Sequence, residues 1–134
     1  MKSIGATLEY TRHRNADIMR VFNNIIQSEK HIFLPRIFSL VADSPASRFW
    51  VSEERAVAVI SAMVAGRILP RMRKNKVEMF QEILRRFLIL KQDNPKAPMI
   101  RLISEVVAQP APKFYLTPRT IGEIIFKIKK GFYK

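Results

Sequence analysis

The sequence predicts an all-α fold: two tandem three-helix repeats packed as one compact unit. The first observation behind this is internal similarity. Residues 36–66 (RIFSLVADSPASRFWVSEERAVAVISAMVAG) and 101–131 (RLISEVVAQPAPKFYLTPRTIGEIIFKIKKG) align without a gap at an offset of 65. The identical pairs include the punctuating residues Pro45/Pro110, Ala46/Ala111, Phe49/Phe114 and Gly66/Gly131. Repetition at a fixed period fixes architecture before any local signal does. The second observation is periodicity: apolar residues recur at i, i+3, i+4 and i+7, and no long segment alternates with period two. The third is bulk. With 134 residues, 48% of them hydrophobic, the chain can bury a real core as one domain or two very small ones.

Residues 1–14 read as a basic N-terminal arm, because Gly5 and mixed polarity give no helix period. The first repeat spans 15–66. Its first helix opens at Asn15, buries Ile18, Val21, Phe22 and Ile25, and ends near Ser28. Pro35 opens the second helix, with Ile37, Phe38, Val41 and Ala42 inside, and Ser44-Pro45 stops it. After the extended connector Phe49-Trp50-Val51, Ser52 caps a third helix that buries Ala56, Val59, Ile60 and Met63 and runs to Gly66.

A basic linker, 67–76, leads to the second repeat, 77–134. Asn75 with Glu78 reads as a capping pair for a helix to about Lys91, with Val77, Phe80, Leu84 and Phe87 inside and the Glu82–Arg86 pair outside. A helix from about Met99 to Ala108 precedes the second connector. Thr117 caps the last helix and Pro118 suits its first position. That helix buries Ile121, Ile124, Ile125 and Ile128, and Phe132 can extend its face. The first helices of the two repeats match at an offset of 60, Arg14-Asn15 against Lys74-Asn75, which predicts about five extra residues in the second repeat.

The charge is large and uneven. The net charge is +13 and the pI about 10.7. Residues 1–66 carry 8 Lys+Arg against 6 Asp+Glu, a net of +2; residues 67–134 carry 16 against 5, a net of +11. Such a surplus points to a polyanionic partner. There is no cysteine, so no disulfide framework and no thiolate metal site. MKSIGATLEYTRHR has no apolar run of the signal-peptide kind, and no apolar stretch reaches the ~18 residues that span a bilayer. The expectation is a cytoplasmic, nucleoid-associated protein with no membrane partner.

Each repeat, three short helices with a turn after the second and a hydroxyl cap opening the third, resembles a helix-turn-helix unit. FYLTPRTIGEIIFKIKKG resembles the opening of a recognition helix, Ser or Thr followed by Arg-Thr and an apolar stripe. At fold level the chain resembles tandem tri-helical DNA-binding proteins of the homeodomain-like group, and also small basic proteins of unassigned function found near bacterial mobile elements. The resemblance implies a double-stranded DNA-binding protein, a transcriptional regulator or mobile-element accessory factor, with its last helix in the major groove.

The residues locate that activity in the second repeat. With its isoleucine stripe inside, the last helix turns Arg119, Thr120, Glu123, Lys127 and Lys130 outward, a face suited to phosphates and base edges. Thr117 and Lys113 precede it, and the linker adds Arg71, Arg73, Lys74 and Lys76. The bland alternatives are a compensated helix C-terminus for the lysines and a solvated charge run for the linker. The matching helix of the first repeat offers Glu53, Glu54, Arg55, Ala58, Ser61 and Ala62, so that repeat reads as scaffold, or as a surface for self-association. Phe49, Trp50, Phe114 and Tyr115 read as a structural clasp rather than base-stacking aromatics, and Gly122 as a point of close helix packing. No enzyme is expected: His13 and His31 are the only histidines, no carboxylates pair at a readable spacing, and no Gly-rich phosphate loop occurs. No metal, cofactor or small-molecule substrate is implied. The alternative class is a non-enzymatic helical module that binds nucleic acid non-specifically or meets an acidic protein.

Overall fold

In the computed structural model, which describes residues 4–131, the helices are α1 (Ile4–Ser28), α2 (Leu34–Asp43), α3 (Glu53–Val64), α4 (Lys74–Asp93), α5 (Met99–Val107) and α6 (Pro118–Lys129), with no strand among the described residues. Phe132 lies outside them. Helix bounds repeat at the 65-residue offset: α3 and α6 start and end at equivalent positions, and α1 and α4 end at Ser28 and Asp93. The caps repeat too. Ser52 accepts a hydrogen bond from the Arg55 amide and Thr117 one from the Thr120 amide, each at 3.1 Å. Gly66 and Gly131 both close their helices in the left-handed region, at φ 69° and 79°.

Several sequence expectations require correction. The stretch read as an arm is helical from Ile4 onward, with its residues 1–3 outside the described chain. One Gly costs a helix only about 1 kcal/mol, and no proline interrupts the chain before Pro35, so nothing forces a later start. Asn15 is therefore not a cap. It sits mid-helix and buried, its Oδ1 accepting from the Arg14 guanidinium at 2.9 and 3.2 Å. Likewise Asn75 lies inside α4, whose N-cap is Arg73 with no side-chain capping bond. The buried stripe of α4 is Met79, Phe80, Ile83 and Phe87, while Val77 and Leu84 are only half-buried.

The offset of 60 for the first helices is also superseded. Ile18 and Ile83 are fully buried, Phe22 and Phe87 nearly so, and the Asp17–Arg20 and Glu82–Arg85 ion pairs are both 2.7 Å long. All of these are 65 apart, so no extra residues are needed between the first two helices of the second half.

The helices pack as two units. One contains α1, α2 and α6; the other is the continuous segment Ser47–Ala111, with α3, α4 and α5. In the first, α2 packs on α6 and α1 on both; in the second, α5 packs on α3 and α4 on both. The third helix of each sequence copy thus completes a bundle begun by the other copy's first two helices. Matching main-chain bonds fix it. The Phe114 amide donates to the Ala42 carbonyl in one unit, at 3.2 Å, and the Phe49 amide to the Val107 carbonyl in the other, at 3.1 Å. Phe49 and Phe114 are buried core residues, as are Ile37, Val41, Ile121 and Ile125 around α2 and α6.

Arg86 ties the second unit together. Its guanidinium donates to Glu82 at 2.7 Å, to Gln109 Oε1 at 3.1 Å and to the Pro110 carbonyl at 2.9 Å, and lies 4.9 Å from the Phe49 ring centre. The Arg85 hydrogen bond, then that of Arg86, outweigh desolvation and hold the Glu82 carboxyl down at about 2, from an ordinary 4.5. A depressed folded pKa contributes stability that is present above the unfolded value and lost as pH falls through the folded one. The urea midpoint is therefore expected to fall as pH drops from about 4.5 toward 2. In Glu82→Gln the midpoint should already be lower at neutral pH and change less across that window.

Candidate nucleic-acid interface

The exposed face of α6 begins at its cap. Thr117 accepts the Thr120 amide and donates its own hydroxyl to Thr120 Oγ1 at 3.0 Å. Both threonines of the expected reading face are thus engaged in starting the helix. Just before them Tyr115 stands at φ 59°, the only non-glycine described in the left-handed region. Such a backbone costs on the order of 1–3 kcal/mol and persists only where packing enforces it. Here the Tyr115 ring is buried and Lys113 lies 5.5 Å from its centre.

Along α6 the spacing i, i+4, i+7, i+8 and i+11 places Arg119, Glu123, Phe126, Lys127 and Lys130 on one face. All five are exposed. Arg119 extends into solvent, its side chain 90% accessible, and pairs with Glu123 at 3.1 Å. Lys130 sits 5.5 Å from the Phe126 ring centre. Lys129 points elsewhere, 5.6 Å from the Phe22 ring centre.

Phe126 was absent from the sequence reading of this face. It is 59% exposed and borders a groove of about 530 Å³ with Phe38, Gly122, Arg119, Glu123 and Lys127. The expected core position Phe38 is only half-buried, because its ring lies across α6 where Gly122 has no side chain. A Cβ on Gly122 would stand 2.7 and 2.8 Å from two carbons of that ring. The periodicity alone could have flagged Phe126, since it falls one residue off the isoleucine stripe of Ile121, Ile124, Ile125 and Ile128.

The equivalent face of α3 differs throughout. Glu53, Glu54, Arg55 and Ala58 are exposed, while Ser61 and Ala62 are half-buried. The small residue Ala58 stands in solvent, so this helix is not packed on both sides there. Ser61 donates instead to the Met99 sulfur at 3.0 Å. Val57 stands at the position equivalent to Gly122, and Ile103 at that of Phe38.

The linker cations lie in the other unit from α6. Arg71 and Arg73 precede α4, and Lys74 and Lys76 occupy its first turn, where there is no acidic residue. This reverses the usual helix preference for negative charge at the N-terminus. Lys74 is 3.9 Å from Glu78. The structure therefore groups the candidates as two sets, Lys113 to Lys130 around α6 and Arg71 to Lys76 around α4. The connector aromatics offer little open ring surface: Phe49, Phe114 and Tyr115 are buried, and Trp50 is half-buried.

Gly122→Ala is expected to lower the melting temperature even though alanine gains about 1 kcal/mol of helix propensity, because overpacking of this kind costs about 1–3 kcal/mol. Adding Phe38→Leu should recover part of the loss; thermal melts followed by circular dichroism would report both. Set against protein-family models, curated proteins and solved structures, the chain matches none.

Proposed function

We propose that the protein binds double-stranded DNA through α6, as a transcriptional regulator or mobile-element accessory factor built from two related three-helix sequence copies. The observation that carries this reading is the exposed stripe of Arg119, Lys127 and Lys130 on a helix whose Ile121, Ile124 and Ile125 are buried in its own bundle. Cations on one exposed helix face can contact phosphates, and an arginine on the first exposed turn can reach a guanine edge. The net charge of +11 in residues 67–134 supplies the attraction. Arg71, Arg73, Lys74 and Lys76 form a second cationic surface for phosphates. α3 takes no reading role, because Glu53 and Glu54 occupy its first turn.

The test is electrophoretic mobility shift over a salt series, using a site selected from random oligonucleotides. Wild-type affinity should fall steeply between about 50 and 200 mM salt. Arg119→Ala should cost roughly 1–3 kcal/mol on the preferred site, and Arg55→Ala far less. Lys127→Ala and Lys130→Ala should weaken all sequences alike and flatten the salt slope by about one unit each. Equal losses from Arg55→Ala and Arg119→Ala would refute the division between the helices. Absence of salt-sensitive binding to any nucleic acid would remove the reading altogether.

A further inference from the structure

We infer that the groove between α2 and α6 is a platform for one unstacked nucleobase, so that the protein also engages single-stranded or locally melted nucleic acid. The inference rests on the nucleic-acid reading of this face and adds a substrate class to it. Single-strand binders combine cations that follow the backbone with an aromatic ring on which a base stacks. Phe126 supplies the ring: it is 59% exposed, in a helix whose other large apolar residues are buried or half-buried. Phe38 and Gly122 supply an apolar surround, and Arg119 and Lys127 border the same groove. Lys130, which does not line the groove, lies 5.5 Å from the Phe126 ring centre and adds a third cation beside it.

The groove volume, about 530 Å³, falls within the ~300–1,000 Å³ range of ligand pockets. Glu123 favours a base over the other polyanionic occupant, an acidic peptide. A carboxylate at the rim accepts hydrogen bonds from exocyclic amino groups such as that of cytosine, whereas it repels another carboxylate. The other half of the chain supplies an internal contrast. At the equivalent positions α3 has Val57 in place of Gly122, Ala58 in place of Glu123, Ser61 in place of Phe126 and Ala62 in place of Lys127. Ring, acceptor and cation are replaced together, on a helix that occupies the same place in its own bundle.

The experiment is fluorescence anisotropy of the full chain with labelled single-stranded oligonucleotides and a duplex of equal length, at about 50 mM salt. Phe126→Ala removes an exposed ring, so its melting curve should match wild type. It is expected to lower single-strand affinity about 5- to 150-fold, the range for loss of one stacked base, while duplex affinity and its salt slope stay unchanged. Lys127→Ala should weaken both ligands and flatten both slopes. Glu123→Ala should weaken cytosine-containing single strands more than thymine-only ones. Wild-type single-strand affinity in Phe126→Ala, with Lys127→Ala still impaired, would overturn the platform and leave the duplex reading standing. Equal losses of Phe126→Ala on both ligands would overturn it in favour of a duplex contact. An acidic peptide that binds wild type, and binds Glu123→Ala more tightly, while oligonucleotides do not bind, would overturn both readings.

Discussion

The constraint on which the structure depends is the exchange of third helices. Chain crossings fall at equivalent places, between Ala46 and Ser47 and between Ala111 and Pro112. Each crossing is followed by a buried phenylalanine whose amide reaches the end of a helix from the other sequence copy: Phe49 bonds Val107, and Phe114 bonds Ala42. These bonds satisfy main-chain groups that a buried connector would otherwise leave unpaired, a cost comparable to a lost hydrogen bond each. Every later feature inherits this placement. α6 owes its position to α1 and α2, so the groove at Phe126 is built from Phe38, a residue 88 positions earlier in the chain.

Two bundles with the same plan have been given different surfaces. In both, β-branched and aromatic residues fill the centre: Ile37, Val41, Ile121 and Ile125 in one, Val59, Ile60, Ile83 and Ile103 in the other. Outside, one third helix displays cations and an open ring, and the other displays a pair of glutamates over small residues. In the second bundle one long polar side chain is turned inward. Arg86 is committed to Glu82, Gln109 and Pro110, and holds the Phe49 ring through its guanidinium. The first leaves Arg119 and Lys127 in solvent, with Arg119 tied only across one turn to Glu123, an arrangement worth little in water.

Much of this plan could be read from residue order. Ser52, Thr117, Gly66 and Gly131 mark helix ends because their chemistry is local: a hydroxyl accepts an amide three residues on, and glycine tolerates positive φ. The outward face of α6 follows from its isoleucines in the same way. What could not be read was long-range. The repeat says which helices are alike, but not which copy's third helix completes which bundle, since α3 and α6 present equivalent apolar stripes. The start of α1 was misplaced because Gly5 and scattered charges hide a helix that no residue forbids. Phe126 stands between the two cases: its place one residue off the isoleucine stripe is legible in the sequence, whereas the groove beside it is not. That groove needs Phe38 lying against Gly122, a contact between residues far apart in the chain.

The exchange also dictates an order of assembly. During synthesis from the N-terminus, α1 and α2 emerge first, with Ile37, Val41 and Ala42 lacking their final cover. The helix that emerges next is α3, whose Ala56, Val59 and Ile60 stand at the positions of Ile121, Ile124 and Ile125. In the finished fold α3 packs on α4 and α5 instead, so its apolar stripe waits for them. The continuous segment Ser47–Ala111 can close as soon as it is made, whereas the bundle at the two ends of the chain waits for the last helix. Contacts of such high sequence separation slow folding.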